Sequence, residues 1–145
     1  MGSGLTLEGR SLLGGRAAGE ACVLDEPLSF WGGFDPESGA IIDRRHPQAG
    51  AALKGRVLVM PSGRGSSSSS SVLAEAIRAG TAPAGIVLAE PDDIVVLGAI
   101  VARELYGTEV PVLVLSGDDY SRIGTGDAVA IDGSTVTLTR PSSRS

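Results

Sequence analysis

Three short, largely apolar runs, Arg56 to Met60, Gly85 to Leu88 and Val110 to Leu115, alternate with two segments of helical period, and this alternation constrains the fold more than any other feature. Short apolar runs bounded by turn residues have the pattern of strands buried on both faces. Between the first two runs, Val72, Leu73, Ala76 and Ile77 fall on one helical face, a serine near Ser70 can cap the start, and Gly80 with Pro83 beyond it ends the helix. Between the second and third, Pro91-Asp92-Asp93 caps a helix reaching about Tyr106, with Ile94, Leu97, Ile100, Val101 and Leu105 at helical spacing.

The flanks are β-rich. Leu5 to Leu13 and Ala18 to Leu24 read as two strands joined by Gly14-Gly15 in a hairpin, and Val129 to Ile131 and Thr135 to Thr139 as another around Asp132-Gly133-Ser134. Ser116-Gly117-Asp118-Asp119 leads into a short helical turn ending near Gly124. The order hairpin, strand, β-α-β-α-β, hairpin predicts an α/β domain with a mixed sheet and helices packed on it. With 42% hydrophobic residues in 145, the chain can bury a core, and 3% aromatics with 21 glycines make that core one of Val, Ile, Leu and Ala joined by tight turns. Residues 1–145 read as one domain, ordered over about 5–139 and ending in a polar tail at 141–145.

A formal charge of −5 argues against a nucleic-acid or anionic-membrane surface, which needs a clustered positive field. Lys54 is the only lysine, so arginine supplies the other cationic side chains. The solitary Cys22 allows no internal disulfide and no paired-cysteine metal site, consistent with a reducing cytoplasm. No apolar run reaches the ~20 residues of a spanning helix. The amino end lacks the basic and apolar regions of a signal peptide, and Gly2 fits a myristoylation pattern only loosely, without a second lipid signal.

Chemistry concentrates where the first apolar run ends. Pro61-Ser62-Gly63-Arg64-Gly65-Ser66 opens a run of serines to Ser71 that passes straight into the helical segment. Taken alone, a serine run reads as a solvated linker. A linker does not begin at the last residue of a buried strand and finish inside a capped helix, whereas a strand-to-helix loop aims backbone N–H groups and hydroxyls at one point suited to an anion. The nucleotide-binding loop is excluded, because no Gly-Lys-Ser/Thr follows at the required spacing. A carboxylate or phosphate ester remains.

His46 is the only histidine, set in Arg44-Arg45-His46-Pro47, and nothing in the sequence ties it to Ser66 as a hydrolase base; it reads as a surface loop residue. Leu28-Ser29-Phe30-Trp31-Gly32-Gly33-Phe34-Asp35-Pro36 gathers both phenylalanines and the only tryptophan, either as core anchors or as an apolar patch for a partner. Asp35 to Gly39 reads as a turn into a strand over Ala40 to Asp43.

The serine loop, the Gly32-Gly33-Phe34-Asp35-Pro36 segment upstream and Gly80-Thr81-Ala82-Pro83-Ala84-Gly85-Ile86-Val87 downstream resemble the small subunit, or small fused domain, of the aconitase X family over about Gly9 to Thr139. The resemblance implies a swivelling β/β/α domain, like the mobile domain of aconitase, that closes on an active site in a large-subunit partner carrying an iron–sulfur cluster. It implies a dehydratase, inactive without that partner, in which Ser66 accepts the proton and Arg64, Gly65 and Ser67 contact the substrate anion. His46-Pro47 and the small residues Ser68, Ser69 and Ser71 resemble the bacterial branch, which implies cis-3-hydroxy-L-proline as substrate, converted to pyrroline-2-carboxylate; mevalonate 5-phosphate is the alternative. A further likeness, of Gly98 to Leu105 with Pro111 to Val114, is to the phosphohistidine domain of phosphoenolpyruvate-utilising enzymes, but Leu97 stands where that family needs its histidine. A third reading is a non-catalytic subunit that binds an anion without chemistry.

Overall fold

The computed structural model describes residues 4–63 and 68–139. Eight strands form one continuous, strongly folded sheet in the order β1 (Gly4–Glu8), β10 (Thr135–Thr139), β9 (Ala128–Asp132), β3 (Arg16–Val23), β6 (Val57–Met60), β7 (Gly85–Leu88), β8 (Val112–Val114), β2 (Arg10–Leu13). β3, β6, β7 and β8 run parallel, whereas β1, β10, β9 and β3 form an antiparallel meander and β2 closes the far edge against β8. α2 (Ser68–Ala79) and α3 (Asp93–Tyr106) lie on the parallel strands, so the layers are β, β and α.

β3 joins the antiparallel and the parallel halves of the sheet. Its first half, Arg16 to Glu20, pairs with β9, and its second, Ala21 to Val23, pairs with β6. The strand pleat then sorts the core. Val57 and Val59 of β6, with Val87 and Leu113, face the meander and meet Leu7, Val129, Ile131, Val136 and Leu138. Leu58 and Met60, with Ile86, Leu88 and Val112, face the helices and meet Leu73, Ile77, Val95 and Ala99. All residues of β6 and β7 are buried, as the apolar runs predict. Each fully buried Leu or Ile contributes about 1.5–3 kcal/mol.

The amino-terminal hairpin does not form. β1 and β2 are split at Gly9 and run to opposite edges of the sheet, and β2 pairs with β8 instead of β3. A Cβ at Gly9 would lie 2.4 Å from the Val114 carbonyl oxygen, so only glycine lets the chain cross between sheets there. The predicted β9–β10 hairpin is present, with Gly133 at φ +62° in its turn.

α3 starts and stops as its sequence predicts: the Asp92 carboxylate accepts from the Ile94 and Val95 N–H groups at 3.0 Å each, and left-handed Gly107 closes the other end. Its orientation differs. The inward face is Val95, Gly98, Ala99 and Ala102, while Leu97 and Leu105 are 45% and 67% exposed. α3 is apolar nearly all round, so spacing alone cannot fix which side turns in, and small residues win because they allow close approach to α2. The helix α2 begins at Ser68, two residues before the expected start.

Between β3 and β6 the chain makes a single distorted turn, α1 (Phe30–Gly33), in which Trp31 and Gly32 are not helical, then a two-strand ribbon of β4 (Phe34–Asp35) and β5 (Ala40–Ile41). The Asp35 carboxylate accepts from the Glu37 N–H and the Ser38 hydroxyl, which fixes the predicted turn and pulls its pKa below the ordinary carboxylate value. α4 (Gly117–Tyr120) is a single turn after β8.

Candidate functional site

In a parallel sheet the loops leaving the carboxyl ends of the strands converge, and ligands bind there. Here those loops are Leu24–Glu26 after β3, Pro61–Gly63 after β6, Glu90–Asp92 after β7 and Ser116 after β8. The Pro61 carbonyl accepts from the N–H groups of Ala89 and Glu90 at 3.1 Å each, tying the second loop to the third. Gly63 pairs with Leu28 through an isolated bridge, and a Cβ on it would lie 2.8 Å from Asp92 Oδ2. The cap of α3 and the exit from β6 are therefore in contact, and only glycine fits between them.

Arg64, Gly65, Ser66 and Ser67, the predicted catalytic and anion-binding residues, lie outside the described residues. Their two anchors do not. Gly63 directly precedes the segment and Ser68, the first residue of α2, directly follows it.

The first turn of α2 is held from two sides. Ser69 is buried, its hydroxyl accepts from the Trp31 N–H at 3.2 Å and it lies 3.3 Å from the Ser29 hydroxyl, which itself donates to the Trp31 carbonyl at 2.8 Å. On the other side, Gly98 of α3 approaches so closely that a Cβ would lie 2.8 Å from the Ser70 carbonyl oxygen. A small cleft lined by Leu28, Phe30, Gly63, Ser69, Asp92 and Ile94 marks where these elements meet. The sequence treats Ser66 to Ser71 as equivalent, but Ser69 sits four residues before Leu73 and so belongs to the buried helical face. That spacing was the available signal.

The aromatic segment divides. Phe30 and Phe34 are core residues packed edge to face with centroids 5.2 Å apart, whereas Trp31 between them is 62% exposed. The core-anchor expectation therefore holds for Phe30 and Phe34, and Trp31 is the one aromatic of the segment left outside the core.

His46 is not a surface residue. It is 5% exposed, its Nδ1 accepts from the Gln48 N–H at 3.0 Å, and Nε2 lies 3.0 Å from the Glu26 carbonyl, which requires the tautomer that donates from Nε2. Gln48 in turn makes a reciprocal pair with Asp25, donating to Oδ2 at 2.9 Å and accepting from the backbone N–H at 3.0 Å. With both ring nitrogens committed to backbone groups, His46 ties the loop after β3 to the loop before β6 and is not placed to act as a base.

Tyr120, which sequence reasoning passes over, packs against the core between the sheets. Its hydroxyl is buried with no hydrogen-bond partner among the described residues, and burial, followed by the charge of nearby Asp25, pushes its pKa up to about 12. Burial also pushes the Cys22 thiol up, more than the Arg56 guanidinium pulls it down. An open cleft of about 350 Å³ lies at the opposite, amino end of the parallel strands, between Arg16, Lys54, Ile77, Gly80 and Glu109. Arg16 there is solvent-exposed and pairs with Asp132 at 3.4 Å.

The sequence and the fold have counterparts among known proteins. The chain is 54% identical over 106 residues to cis-3-hydroxy-L-proline dehydratase of Pseudomonas aeruginosa, a match covering 73% of this chain and 18% of that protein. It therefore spans less than a fifth of that relative's length. It is 36% identical over 131 residues to the phosphomevalonate dehydratase small subunit of Methanosarcina acetivorans, covering 90% of this chain and 87% of that one. The crystal structure of aconitase X from Thermococcus kodakaraensis in its holo form superposes with a TM-score of 0.82 at 35% identity, over 92% of this chain and 98% of that chain. The sequence signature of the aconitase X swivel domain matches residues 6–139, which takes in β1 from Thr6 onward, every other strand of the sheet and the serine loop between β6 and α2, and the chain belongs to that family.

Proposed function

We propose that this chain is the small, swivelling subunit of an aconitase X-type hydro-lyase that dehydrates cis-3-hydroxy-L-proline to pyrroline-2-carboxylate together with a large subunit. The observation that carries the substrate is the 54% identity to a cis-3-hydroxy-L-proline dehydratase, against 36% to a phosphomevalonate dehydratase small subunit. The second reading, dehydration of mevalonate 5-phosphate, draws on a different observation: the archaeal small subunit is a separate chain of which 87% is matched.

In this reading Ser66 takes the proton from the carbon that bears the carboxylate, and the hydroxyl on the neighbouring carbon departs. Negative charge builds on the carboxylate as the proton leaves, and Arg64 with the N–H groups of Gly65 and Ser67 stabilises it. The anchors at Gly63 and at the first turn of α2 support that role, because a proton acceptor must be positioned within hydrogen-bond reach of the proton it removes. An iron–sulfur cluster does not suit the residues of this chain. Clusters take several thiolate ligands, Cys22 is the sole cysteine and is buried with a raised pKa, and no three metal-binding side chains converge among the described residues. We assign the cluster to the large subunit.

The test is turnover by the purified two-subunit complex on both substrates, with native enzyme and with Ser66→Ala. Ser66→Ala should lower kcat by about 10²–10⁴ with the complex intact, the range expected for loss of a general base. Retained turnover would leave Ser66 structural, and turnover of mevalonate 5-phosphate alone would select the second reading.

A further inference from the structure

We infer that Trp31 and Ile42 form the surface by which this chain docks on the large subunit, beside the serine loop. The inference rests on the two-subunit reading above.

Trp31 is 62% exposed and Ile42 52%, in a chain whose other segment aromatics, Phe30 and Phe34, are buried. A surface loop often leaves an apolar side chain outside because the loop is loosely held. This one is not. The Trp31 N–H is held by Ser69, its carbonyl by Ser29, and the next residue, Gly32, sits at φ +82°, a conformation that glycine adopts without strain. The Ile42 N–H donates at 2.9 Å to the carbonyl of Gly33, two residues after Trp31, which ties the Ile42 backbone to the end of the tryptophan turn. Interface cores are enriched in tryptophan, and an exposed tryptophan whose backbone N–H and carbonyl are both hydrogen-bonded has the character of an interface centre.

The position identifies the occupant. Ser69, which holds Trp31, is one residue into α2, and Ser68 is the point at which the chain leaves the serine loop. Leu97, 45% exposed, directly precedes Gly98, which packs against the Ser70 carbonyl of the same turn. A body that receives the loop must contact what stands on either side of it. In the P. aeruginosa relative the matched region is 18% of the protein, so more than four fifths of that polypeptide lies outside the swivel domain and is the body available to receive it.

The experiment measures association separately from turnover: titration of the large subunit with native chain, Trp31→Ala, Ile42→Ser and, as a control at the far end of α3, Leu105→Ala, together with acrylamide quenching of Trp31. Trp31→Ala should weaken association about thirtyfold, the loss typical of an interface hot spot. Leu105→Ala should leave it unchanged, and Trp31 should become shielded from acrylamide in the native complex. Unaltered association of Trp31→Ala with quenching undiminished in the complex would overturn the inference, as would an equal loss in Leu105→Ala. Self-association of the isolated chain that Trp31→Ala and Ile42→Ser abolish would also overturn it, by making a second copy the occupant. A native complex that forms and shields Trp31 yet dehydrates neither substrate would sustain the docking surface while sinking the proposed function.

Discussion

Replacing Gly98 by alanine pits helix propensity against packing, and the structure says which prevails. In an isolated helix the change is favourable by about 1 kcal/mol, because alanine loses less backbone entropy. Here the new Cβ would stand 2.8 Å from the Ser70 carbonyl oxygen, 3.1 Å from Leu73 Cβ and 3.2 Å from Leu73 Cδ2. The nearest of these is backbone and cannot rotate away, so α2 and α3 must separate by several tenths of an ångström. Overpacking of this kind costs about 1–3 kcal/mol, which exceeds the propensity gain and leaves Gly98→Ala destabilised by about 1 kcal/mol. At this chain length that is roughly 4 °C in Tm. Gly98→Val adds two methyl groups and forfeits most of the propensity gain, for a loss of about 3 kcal/mol. Urea denaturation followed by circular dichroism gives both values. A Gly98→Ala variant more stable than the native chain would refute the close approach of the two helices at the first turn of α2.

Two further outcomes follow from single side chains. The Tyr120 hydroxyl has a pKa raised from 10.0 to about 12, so the neutral phenol is favoured in the folded state: its contribution is complete below pH 10 and is lost as pH rises through 12, worth about 1 kcal/mol once screening at a half-buried group is allowed for. Tyr120→Phe, which removes a buried hydroxyl with no partner among the described residues, should be neutral or stabilising at pH 8 and should flatten the loss of stability between pH 10 and 12; a strong destabilisation at pH 8 would reveal a partner. Asp92→Ala should cost about 1 kcal/mol and Asp92→Asn much less, because the asparagine oxygen can still cap Ile94 and Val95; equal losses in thermal unfolding would place the effect in charge and not in the cap.

The parts of the fold legible in the sequence are those governed by local pattern. β6 and β7 announce themselves because a strand buried on both faces has no polar residue to spare, and α3 is bounded by Asp92 and Gly107 because caps act within a turn or two. The failures are long-range. Gly14-Gly15 looks like a hairpin, yet β2 and β3 find partners in β8 and β9 more than a hundred residues away, and nothing local distinguishes a turn that joins paired strands from one that sends them to different sheets. The face of α3 fails for the related reason that Leu97 and Gly98 both look internal until the neighbouring helix is known. His46 looks superficial because polar residues surround it in sequence, while in space Glu26 and Gln48 satisfy it. Ser66 is a separate case: its strand-to-helix setting is legible, but its role comes only from the family resemblance, since the local pattern does not separate it from its neighbours.

On the proposed reading this small chain supplies half of an active site, and its packing suits that role. The residues proposed for chemistry occupy one short connection, and both ends of that connection are closely packed. Gly63 is wedged against Asp92, which caps α3, and Ser69 and Ser70 are pinned by Trp31 and by Gly98. α3 therefore touches both anchors, through its cap at one and through Gly98 at the other. A displacement of α3 moves both ends of the serine loop together, whereas a displacement of α2 alone moves only the second. Gly98→Ala, which separates the helices, should accordingly lower turnover by the complex more than its loss of stability explains, because it shifts the Ser68 end of the loop while Asp92 keeps the Gly63 end in place.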